Sequence, residues 1–274
     1  MYIPIENEYI VVGDVHGCVD ELKLLLIQNG FNIDQQDFIS SLSPNKSIIL
    51  LGDFIDKASE KKLSETIIFI YKNYFNLNKK SQRFYLVTGN HEEMIYRYIS
   101  NDPTLEVTPK RLEEKRKYYN TVELLEKNSD LKSKFLELYK ESYPWLKYNY
   151  SSDFSISLTH APCKERYLTK DDEISKEKMI KSASRSKNRG VKLDNLLSYL
   201  HKEAKDNRHY HIFGHLSQPN IRVFKNKICI DTSAIYGDSL SCAIIKNDKL
   251  LFNAVKFQNR QKSATQEYNL LFDF

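Results

Sequence analysis

The sequence predicts an α/β fold: one catalytic-sized domain interrupted by a helical insertion. Three observations carry this. Short apolar runs each end in glycine followed by Asp or Asn, helix-period segments separate those runs, and a stretch rich in Lys, Glu, Leu and Tyr divides them from a second set of short strands. In chain order, Tyr9 to Val12 is a buried strand closing on Gly13-Asp14. Val19, Leu22, Leu25 and Leu26 then recur at helical spacing until Asn29-Gly30 stops the helix. Ser47 to Leu51 is a second strand closing on Gly52-Asp53, and Leu63 to Tyr74 is the helix covering it. Arg83 to Thr88 is a third strand, closing on Gly89-Asn90. Strand ends of this kind crowd one edge of a sheet, where loops carry chemistry.

From about Pro109 to Lys147 the spacing of Val122, Leu125, Leu131, Phe135 and Leu138 predicts a helical insertion. Its charges are mixed, Lys110, Arg111, Lys115, Arg116 and Lys117 against Glu113, Glu114, Glu123 and Glu126, the pattern of a solvated amphipathic helix pair. A lid over the strand-end loops is the functional alternative. Beyond it, strands are predicted at Phe154 to Thr159, Tyr210 to Phe213, Ile221 to Phe224, Ile228 to Ile230, Cys242 to Ile245 and Leu250 to Val255. Lys225-Asn226-Lys227 and Asn247-Asp248 read as hairpin turns. Residues 258–274 are set apart as a tail, leaving residues 1–257 as one domain.

Bulk properties narrow the class. With 274 residues and 41% hydrophobic content, the chain can bury a sizeable core. A net charge of +5 suits an anionic substrate, but it is too weak and too evenly spread to argue for nucleic acid. Cys18, Cys163, Cys229 and Cys242 form no CxxC pair, so a disulfide framework is not expected and a reducing compartment is. The front of the chain, MYIPIENEYIVVGD, shows no basic leader, and no apolar run approaches the roughly 20 residues of a membrane helix. A cytoplasmic protein without membrane contact is therefore expected.

The chemistry lies in the strand-end loops. Gly13-Asp14-Val15-His16-Gly17 puts a carboxylate and an imidazole two residues apart between glycines, whose freedom at positive φ lets both side chains face one ion. Gly52-Asp53-Phe54-Ile55-Asp56 adds a carboxylate able to bridge two cations, and a further Asp three residues on. Gly89-Asn90-His91-Glu92 adds an amide oxygen and another imidazole, although Asn and Glu also suit a helix start. His160 ends the strand SISLT, and His215 follows Gly214 at the end of HIF. Any one of these is ordinary turn chemistry; the ordered set is not.

This series, GDVHG, GDFID, GNHE, LTHA and FGH followed by IDTSAIYGDSL, resembles the phosphoprotein phosphatase branch of the calcineurin-like metallophosphoesterases. The likeness spans about residues 8 to 246 and is nearest in style to phage and bacterial serine/threonine phosphatases and symmetrical diadenosine tetraphosphatases. It implies a four-layer α/β/β/α sandwich. It also implies one metal held by Asp14, His16 and Asp53, and a second sharing Asp53 and adding Asn90, His160 and His215. Oxygen and imidazole ligands without thiolate favour two divalent ions, first manganese, with iron or zinc as options. Such a pair, about 3.5–4 Å apart, would generate a bridging hydroxide and clamp the phosphoryl oxygens. His91 would protonate the leaving group, oriented by Asp56.

The chain departs from the family pattern GDxxDRG, reading GDFIDKA with Lys57 and Ala58, and from DTGA, with Ser233. Lysine keeps the charge but loses the bidentate fork, so weaker phosphate binding is expected. Arg185 or Arg189, with Lys57 and Asn90, would grip substrate phosphate. His209 and His211 are assigned to sheet support, not to metal, and His201 to solvent. The resemblance implies a phosphorylated protein as first-choice substrate, by serine/threonine phosphatase activity. Symmetrical hydrolysis of diadenosine tetraphosphate, a nucleotide substrate, is the alternative, and a metal-binding adaptor weakened at Lys57 the reading of another class.

Overall fold

The computed structural model describes residues 1–41, 45–102, 120–181, 198 and 200–257. Its strands are β1 (Tyr2–Ile3), β2 (Glu8–Val12), β3 (Phe31–Ile33), β4 (Ile39–Ser41), β5 (Lys46–Leu50), β6 (Phe84–Leu86), β7 (Leu146–Asn149), β8 (Ser155–Leu158), β9 (His209–Phe213), β10 (Arg222–Phe224), β11 (Lys227–Cys229), β12 (Ser239–Lys246) and β13 (Lys249–Lys256). The helices are α1 (Val19–Gln28), α2 (Glu60–Leu77), α3 (Asn90–Ile99), α4 (Thr121–Lys127), α5 (Ser129–Lys140) and α6 (Glu173–Lys181).

Two sheets lie face to face. One runs β13-β12-β2-β5-β6, the other β1-β7-β8-β9-β11-β10. Alternation along β2 shows why its sequence is apolar throughout. Tyr9 and Val11 pack between the sheets against Tyr148, Ile156 and Ile212, whereas Ile10 and Val12 pack under the helices. Leu63, Ile67, Ile70 and Tyr74 give α2 a buried stripe at helical spacing against that second face. Smaller apolar clusters, Trp145 with Cys163 and Met179, and Leu200 with Phe213, Leu216 and Cys229, cover the far face of the six-stranded sheet. The order helix, sheet, sheet, helix is the expected sandwich.

Several boundaries move. The insertion does not extend to 147, because Leu146 and Lys147 belong to β7, which pairs β8 antiparallel and β1 in parallel. A four-residue strand with one Lys and one Asn carries too little periodicity to separate from the preceding helix, and β1, β3 and β4 are shorter still. α4 and α5 are the expected amphipathic pair, with Glu123 and Glu126 exposed on the solvated side, but they do not stand apart from the domain. Val122, Leu125, Leu131, Phe135 and Leu138 are buried in the same core as α1 and α2, so these helices complete the outer layer. Residues 109–119 and the tail at 258–274 lie outside the described residues. Both predicted hairpins form, β10 with β11 and β12 with β13.

Candidate metal centre

The site follows from strand direction. β2, β5 and β6 are mutually parallel in one sheet, and β8, β9 and β11 in the other, so their C-terminal ends open at a common edge. Asp14 and His16 follow β2, Asp53 and Asp56 follow β5, Asn90 and His91 follow β6, His160 follows β8, and His215 follows β9. A cavity of about 360 Å³ opens there, lined by Asp14, His16, Asp53, Lys57, Asn90, His91 and His215 among others.

The turns differ from the sequence expectation in one respect. Positive φ does not fall only on flanking glycines; it falls on the functional residues themselves, His16 at 44°, Asp53 at 48°, Asp56 at 72°, Lys57 at 69° and His215 at 68°. Left-handed backbone at a non-glycine residue costs energy and persists only where surroundings hold it. Gly17 (φ 78°) and Gly52 (φ 83°) share that backbone, whereas Gly89 and Gly214 serve close approach instead. A Cβ on Gly214 would collide with Asp14 Oδ1, and one on Gly89 with the Asp53 backbone nitrogen.

The holding groups are visible. Glu92 Oε2 accepts the N–H groups of Asp53 (2.7 Å) and Gly89 (3.1 Å), and its Oε1 those of Phe54 (2.9 Å) and Ile55 (3.3 Å). One carboxylate thus ties the turn after β5 to the start of α3. Burial and the neighbouring Asp53 push the Glu92 pKa up to about 8, with N–H donors opposing. The 56–58 turn, where Ala58 replaces the family glycine, is clamped by the segment before α4. Thr121 N–H donates to Asp56 Oδ1 (2.9 Å), and Asp56 N–H to Thr121 Oγ1 (3.1 Å). Asn120 Oδ1 accepts from the Lys57 N–H (2.9 Å), and Asn120 Nδ2 donates to the Ala58 carbonyl (2.7 Å).

Each imidazole is oriented by its outer nitrogen. His16 Nδ1 donates to the Ile55 carbonyl at 2.8 Å, His160 Nδ1 to that of Leu51 at 2.7 Å, and His91 Nδ1 to Asp56 Oδ2 at 2.7 Å. The Nε2 atoms of His16 and His160 therefore face inward with lone pairs available, and that of His91 faces the same cavity. His160 Nε2 lies 3.0 Å from Asn90 Oδ1 and 3.3 Å from Asp53 Oδ2, and His215 Nδ1 lies 2.7 Å from the same Asn90 oxygen. With the His160 Nδ1–H on the Leu51 carbonyl, its Nε2, the Asn90 oxygen and the Asp53 carboxylate converge on one point, an arrangement a cation would satisfy. Electrostatics points the same way: burial would lower the His160 pKa, yet the Asp53 and Asp14 carboxylates outweigh it and push it up to about 10. This donor set fits a divalent ion.

Asp53 bridges two groups of donors that each lie within 4.8 Å of one another, Asp53 with His160 and His215, and Asp53 with His16 and His91. Asp14 is in neither. It lines the same cavity, but its carboxylate accepts the His215 N–H at 3.1 and 3.2 Å. Burial and repulsion from Asp231 raise its pKa well above the carboxylate range. The histidines around Asp53 overcome burial there and hold its carboxyl well below that range.

Lys57 reaches the cavity, with Nζ 2.7 Å from His16 Nε2. Arg185 and Arg189 lie outside the described residues. His211 is buried with Nε2 2.7 Å from Thr159 Oγ1, His209 Nδ1 is 3.0 Å from Ser155 Oγ, and His201 is exposed, as expected of non-ligands.

Sequence reasoning missed Asp231, which follows β11 as Asp14 follows β2 and lines the cavity while only 5% exposed. Its signal was present, an acid at a strand end, but no glycine or histidine accompanies it. It also missed Glu92, Asn120 and Thr121 as braces, because contacts 37 to 65 residues apart leave no local pattern. Ser233, in place of the family glycine, adopts φ 63° and donates its N–H to Asp231 Oδ1 at 3.1 Å.

Residues 9–219 match the model of the calcineurin-like phosphoesterase family. Over 236 residues the chain is 26% identical to bis(5'-nucleosyl)-tetraphosphatase PrpE [asymmetrical] of Oceanobacillus iheyensis, covering 84% of this chain and 86% of that one. It is 27% identical over 90 residues to serine/threonine-protein phosphatase PP1-delta of Caenorhabditis elegans, 33% of this chain and 24% of that one. A solved mutant of a cold-active protein tyrosine phosphatase shares the fold with a TM-score of 0.57 at 18% identity, over 94% of this chain and 83% of its own.

Proposed function

The chain belongs to the calcineurin-like phosphoesterase family, as a metal-dependent phosphoester hydrolase, and on that premise we propose that it cleaves a phosphoanhydride of a dinucleoside polyphosphate. The observation that carries the reaction type is the convergence of His160 Nε2, Asn90 Oδ1 and Asp53 Oδ2 beside His16 and His91. Asp14, His16 and Asp53 would hold one ion, with manganese the first choice, and Asp53, Asn90, His160 and His215 would hold the other. Bound there, two divalent ions would supply Lewis-acid charge to the phosphoryl oxygens and would acidify the attacking water.

The chain's own residues do the rest. His91 keeps Nδ1–H on Asp56, so its Nε2 faces the cavity, where the imidazolium form gives its Nε2 proton to the leaving oxygen and is left as neutral imidazole. Lys57 and Asn90 contact the phosphate. The half-exposed Tyr236 and neighbouring Ile235 line the cavity's mouth and offer a nucleobase a flat apolar surface. A phosphoprotein substrate, the first expectation from sequence, is less well supported. The tetraphosphatase relative spans 84% of the chain, and the protein phosphatase relative 33%. With hydrolase family membership shown, the adaptor reading is set aside.

The test is substrate comparison with added Mn2+. Diadenosine tetraphosphate should be turned over with kcat/KM at least about a hundredfold above that of a phosphoserine peptide. ATP and AMP in equal amounts mark asymmetrical cleavage, and ADP alone marks the symmetrical route. The reverse preference would overturn the nucleotide assignment.

A further inference from the structure

We propose that the Lys57 ammonium is a built-in counter-ion of the first metal position, which a divalent ion must displace before binding and which then turns to the substrate phosphate. This rests on the metal assignment above for Asp14, His16 and Asp53.

Three observations carry it. First, His16 Nδ1 donates to the Ile55 carbonyl at 2.8 Å, so the lone pair that a metal would take is on Nε2, and Lys57 Nζ donates to that atom at 2.7 Å. The ammonium and a first-position ion therefore claim the same electron pair. Second, Asp14, Asp53 and Asp231 are 4%, 2% and 5% exposed and share one cavity with Lys57. Buried carboxylates without a compensating cation are costly, and a compact ammonium is the natural partner. Third, the Lys57 backbone is fixed, so any change in the position of its ammonium is made by rotation within the stem. Asn120 binds the Lys57 N–H and the Ala58 carbonyl, which pins a φ of 69°, so the Nζ position depends only on the flexible four-carbon chain. That chain can swing from His16 to a phosphate in the same cavity.

Arginine at this position would behave otherwise. A planar guanidinium spreads its charge over a fork suited to two phosphate oxygens, and is poorly matched to a single imidazole lone pair. The lysine in GDFIDKA thus does more than weaken a phosphate grip: it couples metal occupancy to phosphate binding.

The experiment uses full-length protein stripped of metal. Mn2+ binding is measured by equilibrium dialysis for the natural chain, Lys57→Met, Lys57→Arg and Asp53→Asn, and inorganic phosphate binding by calorimetry on the Mn2+-loaded proteins. In Lys57→Met the weaker Mn2+ site should tighten about tenfold, because binding no longer breaks a charge-assisted hydrogen bond. Phosphate affinity of the loaded protein should fall by about the same factor. Lys57→Arg should tighten Mn2+ binding and keep phosphate binding. Unchanged or weaker Mn2+ affinity in Lys57→Met overturns the counter-ion role, and unchanged phosphate affinity overturns the swing to substrate. If Lys57→Met melts early, Lys57→Asn, a residue at ease in left-handed backbone, takes its place under the same criteria. A natural chain that binds no Mn2+, or an Asp53→Asn protein that keeps two ions, overturns the metal assignment instead.

Discussion

The two sheets contribute side chains to one cavity, yet they hold them by different means. The five-stranded sheet supplies Asp14, His16, Asp53, Asp56, Asn90 and His91 from tight turns, several with left-handed backbone, and those turns are braced by Glu92, Asn120 and Thr121. The six-stranded sheet supplies His160 and Asp231 from the ends of paired strands, and His215 from a single left-handed residue (φ 68°) whose N–H is held by Asp14. Their outer surroundings differ as well. The helix-covered face of the first sheet is apolar, whereas on the second sheet Lys147, Ser157, His211 and Lys227 stand in one register row across β7, β8, β9 and β11. Strained turns need dedicated braces; strand ends inherit their position from the ladder. Mutations should therefore injure the first half through geometry and the second through charge.

The sharpest way to break this picture is Asp53→Asn, since Asp53 alone belongs to both donor groups. Turnover should drop by about 10³-fold or more with loss of Mn2+ binding, measured by steady-state kinetics and metal analysis. Next comes Glu92→Gln. Both Glu92 oxygens accept backbone N–H groups, so an amide NH2 must face at least one of those donors. Urea unfolding should show a loss of about 2–3 kcal/mol. Preserved stability would mean the turn after β5 is held by something other than this carboxylate. Thr121→Val removes the hydroxyl that takes the Asp56 N–H but leaves its own N–H on Asp56 Oδ1. About 1 kcal/mol should be lost, and kcat should fall more than KM changes, because His91 is aimed through Asp56.

What was legible in the sequence follows the same division. The Gly-Asp and Gly-Asn endings announced Asp14, Asp53 and Asn90 because short-range turn chemistry writes itself into neighbouring residues. The apolar runs announced β2, β5, β8, β9 and β12 for the same reason. Asp231 was hidden because its strand end carries no companion ligand, and β7 because four residues hold too little period. The braces were hidden for a stronger reason. Glu92 looks like a helix-start residue and Thr121 like the edge of an amphipathic helix, and only the folded chain brings them to Asp53 and Asp56. The donor inventory was local information; the means of holding it was not.

The effect confined to acid solution tests the charged row of the second sheet. His211 is fully buried, and burial together with Lys227 and Lys147 lowers its pKa well below the usual imidazole range. In the unfolded chain the same imidazole titrates near about 6.5. Below that pH the unfolded state binds a proton that the folded state refuses, so stability present above about 6.5 is lost as pH falls. The loss from this one residue approaches about 1.4 kcal/mol per pH unit. Other groups titrate in the same window, so the quantity to measure is the difference between the natural chain and His211→Asn. Urea melts at pH 7.5, 6.5 and 5.5 should show the two stabilities converging as the solution is acidified, because only the natural chain carries the His211 penalty. Parallel pH profiles would mean that His211 accepts its proton in the folded protein, and that the row between Lys147 and Lys227 tolerates another positive charge.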